Sequence, residues 1–85
     1  MPADDPLGDA PEGHAALGAA KLVRMANQIA TFFASQPGDV QAAEVAGHIK
    51  AFWEPRMIRA LLRHLDEGGA GLTPLAREGA ERLRA

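Results

Sequence analysis

The sequence predicts an all-α fold: a small bundle of three helices with well-defined apolar faces plus a short fourth helix, preceded by a flexible N-terminal arm. Three observations lead to this prediction. Apolar residues recur at helical spacing from residue 19 onward, prolines and glycines divide this region into four segments, and no alternating run is long enough for a strand. The predicted organisation is therefore an arm over residues 1–18 and a helical domain over residues 19–85.

The arm is acidic and rich in proline and glycine. Residues 1–20 hold four acidic residues (Asp4, Asp5, Asp9 and Glu12) and no Lys or Arg, whereas the rest of the chain holds nine basic and seven acidic residues. We expect a flexible tail, with docking on a partner as the alternative, and no signal peptide, because the arm has neither basic residues nor an apolar core. The weakly positive remainder does not by itself indicate nucleic-acid binding.

The first helix is predicted over residues 19–35. At 100° per residue its large apolar side chains fall within one arc of about 120°. The members of this arc are Leu22, Met25, Ala26, Ile29, Phe32 and Phe33. Pro37 and Gly38 are expected to end the helix.

The second helix is predicted to begin with Asp39 as its N-cap. Its apolar arc consists of Ala42, Val45, Ala46, Ile49, Phe52 and Trp53. Pro55 ends this helix, because a proline disfavours the helical conformation of the residue before it.

Pro55 also suits the first position of a third helix, with Glu54 as its N-cap. The apolar stripe of this helix is Ile58, Leu61, Leu62 and Leu65, and Gly68 and Gly69 end it. A short fourth helix follows, capped by Thr73 with Pro74 at its first position. Its apolar face is thin and consists of Leu75, Ala76, Gly79 and Leu83.

No residue pattern indicates catalysis, a metal or a cofactor. The absence of cysteine excludes disulfides, iron–sulfur ligation and thiol chemistry, and it fits a cytoplasmic location. His14, His48 and His64 lie in separate segments without metal-ligand spacing. No run approaches the roughly 20 apolar residues of a membrane span. We therefore expect a noncatalytic chain that binds no cofactor and no membrane.

The stretch FWEPRM, residues 52–57, breaks local rules at a predicted helix junction. Trp53 completes the apolar arc of the second helix and is expected in the core. Glu54 is not a favoured N-cap, and Arg56 lies in a first helical turn, where a cation opposes the helix dipole. Because such exceptions often mark functional positions, the corner at Pro55 and Arg56 is predicted to face a partner.

Three arginines of the third helix, Arg56, Arg59 and Arg63, fall within about 60° of each other, opposite its apolar stripe. They are either an ordinary solvated face or a contact for an acidic protein surface, which the arginine fork suits. A free-standing helical nucleic-acid-binding module is the alternative function. The case for it is thin, because the face lacks lysine clusters and interleaved aromatic residues.

Two stretches carry a family likeness: LVRMANQIATFF (22–33) and FWEPRM (52–57). Together with GGAGLTPLAREGAERL (68–83) they resemble the small delta subunit of cytosolic, NAD-dependent, molybdenum-containing formate dehydrogenases. The resemblance covers residues 21–83 and leaves the arm outside. Glu54 departs from the family pattern, which usually has Asp at this position.

The resemblance implies an accessory subunit of a complex that oxidises formate to carbon dioxide and reduces NAD. In such complexes the large subunit carries a molybdenum cofactor and iron–sulfur clusters, other subunits carry FMN and further clusters, and the delta subunit carries none. The implied partner is the large subunit, and the implied role is support of complex stability or of cofactor loading. The candidate partner-binding residues, taken from the matching motifs and the arginine face, are Arg24, Asn27, Gln28, Trp53, Pro55, Arg56, Arg59 and Arg63. Met25 and Met57 belong to the same motifs, and Met25, like Trp53, is expected mainly in the core.

Overall fold

The computed structural model describes residues 18–84, and within them the chain forms four α-helices and no strand. Helix α1 spans Ala19–Phe33, α2 spans Gly38–Phe52, α3 spans Pro55–Asp66 and α4 spans Pro74–Arg84. This confirms the predicted all-α fold. The predicted arm lies outside the described residues except for Gly18, which is the N-cap of α1. None of the helices described here is long and apolar enough to cross a lipid bilayer.

The core is shared by all four helices. It contains pairs of buried residues from each: Leu22 and Ala26 of α1, Val45 and Ile49 of α2, Leu61 and Leu65 of α3, and Ala76 and Ala80 of α4. Trp53 and Leu72, from the connections after α2 and α3, are also buried in it. The apolar stripe predicted for α3 is confirmed, since Leu61 and Leu65 are buried and Ile58 and Leu62 pack against them.

Helix α4 packs more extensively on α2 than on any other helix, and it does so through small residues. Gly79 is buried against Val45, and a Cβ atom on Gly79 would lie only 2.5 Å from Val45 Cγ1. Ala76 and Ala80 are fully buried beside it. The thin apolar face predicted for α4 is therefore a face of small side chains that lets two helix backbones approach closely.

Two phenylalanines of the predicted apolar arcs are not in the core. Phe32 is 72% exposed and Phe52 is 75% exposed. On α1 the side that meets the other helices carries Ala26 and Ala30, and Phe32 lies roughly 160° around the helix from Ala30. At the end of α2 the buried position is taken by Trp53. The predicted arcs were therefore wrong at these two positions.

The start of α2 also differs from the prediction. Pro37, not Asp39, is the N-cap, and α2 begins at Gly38. Pro37 has an extended backbone (φ −54°, ψ 140°), and its carbonyl accepts the N–H of Val40 at 3.0 Å, so the helix is already established before Asp39. Asp39 instead lies in the first turn, where its charge suits the helix dipole.

The caps predicted for the other helices are confirmed. Glu54 is the N-cap of α3 with Pro55 at its first position. The hydroxyl of Thr73 accepts the backbone N–H of Ala76 at 3.3 Å, which caps α4. Gly68 and Gly69 follow α3 with φ of +116° and +65°, a conformation that favours glycine and ends the helix.

Candidate functional site

A groove of about 390 Å³ opens between α1 and α2. Its lining residues are Met25, Gln28, Ile29, Phe32, His48 and Trp53. The four α1 residues fall within about 100° of helix rotation, on a different side of α1 from the buried Ala26 and Ala30. The groove thus brings residues of the stretches 22–33 and 52–57 together in one surface.

Aromatic rings form a row across the two helices beside this groove. The rings of Phe32 and Phe33 meet edge to face with centroids 5.0 Å apart, and Phe33 in turn lies 6.1 Å from the ring of His48. The ring of His48 is 4.7 Å from that of Phe52. Of this row, Phe32 and His48 line the groove, and the exposed ring of Phe52 packs against His48 at its edge.

Trp53 belongs to both the core and the groove. It is the C-cap of α2 with an extended backbone, and its N–H donates to the carbonyl of Ile49 at 2.8 Å. Its side chain is 8% exposed, which confirms its predicted place in the core. Met25 is half-buried beside it, and Gln28 is exposed at the groove edge. Because Trp53 also lines the groove, the shape of the groove depends on the packing of the core.

The corner at Pro55 lies directly after Trp53 and is exposed. Arg56 Nε donates to Glu54 Oε1 at 3.1 Å, with the two side chains 66% and 65% exposed. Glu54 makes no side-chain cap hydrogen bond to α3, and Met57 packs against the core. An ion pair this exposed contributes little to folding, about 0–1 kcal/mol, so Arg56 can exchange Glu54 for a carboxylate on another molecule at small cost.

The remaining arginines of the α3 face, Arg59 and Arg63, are both exposed. They lie on the side of α3 away from the buried Leu61 and Leu65, as predicted. The exposed aromatic residues Phe32 and Phe52 are on α1 and α2, so they do not alternate with these arginines along α3.

The three candidates on α1 have different surroundings. Gln28 lines the groove, and Arg24 is exposed one turn before it. Asn27 faces the connection between α3 and α4, where its Nδ2 donates to the carbonyl of Gly71 at 3.0 Å and its Oδ1 accepts the N–H of Thr73 at 3.0 Å. Asn27 therefore has a structural role within the chain itself, which sequence reasoning did not find.

Sequence reasoning also missed Ile29, Phe32, His48 and Phe52 as surface-forming residues. One signal in the sequence could have found them. With Ala30 added to the predicted arc, the apolar residues of α1 cover a wider part of the helix surface than the side that packs on the core. Among the charged and ionisable residues that the structure describes, only His48 lines the groove. Within residues 18–84, no three or more His, Cys, Asp or Glu side chains are grouped so as to hold a metal ion. The lining of the groove is mainly apolar.

No curated protein and no solved structure matched the chain. The sequence profile of the family described as the NADH-dependent formate dehydrogenase delta subunit FdsD matches residues 21–80. The matched region includes both motif stretches, all of α2 and α3, and most of α1 and α4. The predicted resemblance is thereby confirmed: the chain belongs to the NADH-dependent formate dehydrogenase delta subunit family.

Proposed function

We propose that this chain is a noncatalytic delta subunit that binds the molybdenum-containing large subunit of an NAD-dependent formate dehydrogenase. In this role it supplies no cofactor and no reacting group. It stabilises the large subunit or assists the loading of its molybdenum cofactor. Membership of the delta-subunit family supports the assignment to this complex, and the form of the surface supports a role in binding.

The observation that carries this proposal is the exposure of Phe32 and Phe52 beside a groove built from both motif stretches. Transfer of a phenylalanine side chain from water to an apolar environment is worth about 1.5–3 kcal/mol. Because Phe32 and Phe52 stay largely exposed, the fold gains only a small part of this free energy at these two positions. A partner that covers the groove would recover it, and contiguous exposed apolar surface of this kind is typical of protein-binding sites.

The arginine face of α3 gains no support as a nucleic-acid site from the described residues. Binding to single strands relies on aromatic rings set among cations, so that bases can stack while the backbone is neutralised. Here the exposed phenyl rings lie on α1 and α2, whereas Arg59 and Arg63 lie on α3. We therefore favour a protein partner.

Co-expression with the tagged large subunit tests the proposed function. We expect this chain to co-purify in fixed ratio with the large subunit. The large subunit made without it should contain less molybdenum per polypeptide if the role is cofactor loading, or melt at a lower temperature with normal molybdenum content if the role is stabilisation. If the chain does not co-purify and neither quantity changes, the proposal is wrong.

A further inference from the structure

We propose that the groove between α1 and α2 binds a segment of the large subunit that presents bulky apolar side chains next to acidic residues, with the acidic residues at the end of the groove beside Met25 and Trp53. This inference rests on the proposed function for the identity of the partner. It adds which surface of this chain is used, what chemistry the partner segment has, and in which direction it lies.

The direction of the groove follows from the way α1 and α2 pack. Gln41, in the first turns of α2, donates through Nε2 to the carbonyls of Ala34 and Gln36 at 2.9 and 2.7 Å. The start of α2 is thus fixed to the end of α1. Phe33, the last residue of α1, contacts His48, and Trp53 lies five residues beyond His48 at the C-cap of α2. The groove therefore runs from Phe32 at one end to Met25 and Trp53 at the other.

The apolar part of the site suits large, irregular side chains. Met25, Ile29 and Phe32 follow one another along about 10 Å of α1, a length of two helical turns. Methionine is flexible and adapts to the shape of a partner, whereas Trp53 is held rigidly by the core. A groove that combines the rigid ring of Trp53 with the flexible side chain of Met25 is well suited to bind one or two apolar side chains of a partner segment.

The charged part of the site lies at the end next to Met25 and Trp53. Lys21 is exposed one helical turn before Met25 on the same side of α1, and Arg24 is exposed one turn before Gln28. Helix α1 contains no acidic residue. Arg56 follows Trp53 in the first turn of α3 and is paired with the exposed Glu54. Positive charge therefore borders this end, and it favours acidic residues on the partner.

Charge also separates this partner from a second copy of the chain. The groove side of α1 carries Lys21 and Arg24 but no carboxylate, and Glu54 at the corner is already paired with Arg56, so a second copy docked through the same side would bring mainly cations to the basic end. The acidic N-terminal residues of the chain itself have the complementary charge, and the experiment below separates them from the large subunit.

Binding of the purified large subunit to the purified full-length chain, measured by titration, tests the inference. Phe52→Glu should weaken binding by about tenfold or more, because it places a charge at the apolar edge of the groove. Ala43→Glu is the matched control, since it adds the same charge to an exposed position on another side of α2, and it should bind within about twofold of the parent. Lys21→Glu should weaken binding and reduce its salt dependence, whereas Arg82→Glu on α4 should not.

Each variant is first checked for unchanged helical content and melting temperature by circular dichroism. If the parent chain binds the large subunit and both Phe52→Glu and Lys21→Glu bind it equally tightly, the groove assignment is wrong but the proposed function stands. If the parent chain does not bind the large subunit at all, the proposed function fails, and this inference fails with it.

Two further measurements exclude the other occupants. A dimer of the parent chain in sedimentation that Phe52→Glu dissociates would mean that a second copy fills the groove, contrary to the inference. Faster amide exchange around Phe52 after deletion of residues 2–17 would mean that the N-terminal residues fill it, which also overturns the inference. A monomer with unchanged exchange, together with the predicted binding losses, supports it.

Discussion

Oδ1 of Asn27 in α1 accepts a hydrogen bond of 3.0 Å from the backbone N–H of Thr73, which lies 46 residues later in the sequence. Nδ2 of Asn27 donates to the carbonyl of Gly71, also at 3.0 Å. Because the Thr73 hydroxyl caps α4, the single carboxamide of Asn27 fixes the point at which α4 begins relative to α1. The connection between α3 and α4 is held in place from the other side by Arg77, which donates to the carbonyls of Gly68 and Gly69 at 2.9 and 3.2 Å.

Asn27→Ala should lower the free energy of unfolding by about 1–2 kcal/mol, because it removes two hydrogen bonds that bridge α1 and the connection before α4. Asn27→Asp should also lower stability, since a carboxylate still accepts the N–H of Thr73 but its second oxygen repels the carbonyl oxygen of Gly71. Urea denaturation measures both. Arg24→Ala, at an exposed position one turn away, should stay within about 0.5 kcal/mol of the parent. A stability of Asn27→Ala equal to that of Arg24→Ala would show that the carboxamide bridge does not stabilise the fold.

Gly79→Ala should destabilise the protein, although alanine normally favours a helix over glycine. The new Cβ would lie 2.5 Å from Val45 Cγ1 and 2.9 Å from Val45 Cβ, so α2 and α4 would have to move apart at a cost of about 1–3 kcal/mol. Gly47→Ala on α2 is the matched control, since its Cβ would meet no atom within 4 Å. That substitution should stabilise the protein by roughly 0.5–1 kcal/mol. Thermal melts of the two variants that shift in the same direction would contradict this account of the contact between α2 and α4.

The number of helices and most of their ends could be predicted from the sequence because they depend on local chemistry. Pro55 and Pro74 each fix the first position of a helix, and Gly68 and Gly69 supply the positive φ that ends α3. The start of α2 was missed because Pro37 acts as the N-cap through its backbone alone, whereas Asp39 has the side chain that a cap normally uses.

The side of α1 that meets the core could not be predicted from periodicity. The side of α1 that carries Ala26 and Ala30 lies about 120° or more from Phe32, and spacing does not say which of these two sides the other helices approach. The side that carries the two alanines proved to be the buried one, which leaves Phe32 exposed. The motif residues could be quoted from the sequence, but the meeting of Met25 with Trp53 and of Asn27 with Thr73 depends on helix packing over long separations in the chain.

Trp53→Ala should cost about 3–5 kcal/mol of folding free energy, because it removes a nearly buried indole and leaves a cavity at the end of the core. Phe52→Ala, its immediate neighbour, should change stability by less than about 1 kcal/mol, since its ring is largely exposed and contacts His48 at the surface. Denaturant midpoints of the two variants measure the difference. Similar losses for both would mean that Phe52 also belongs to the core.

Arg56→Glu should leave the fold unchanged and weaken binding to the large subunit. The substitution breaks the ion pair with Glu54, but that pair is exposed, and a carboxylate in the first turn of α3 suits the helix dipole better than a guanidinium does. The two effects offset each other, so the free energy of unfolding should change by no more than about 0.5 kcal/mol, which is typical of surface substitutions.

In a complex, the same substitution replaces a cation at the basic end of the groove by an anion facing acidic residues, which should cost about 2 kcal/mol or more of binding free energy. Glu54→Gln is the matched control, because it removes the ion pair and keeps the cation, and its affinity should equal or exceed that of the parent. Parental affinity of Arg56→Glu would mean that the corner after Trp53 is a turn between two helices and nothing more.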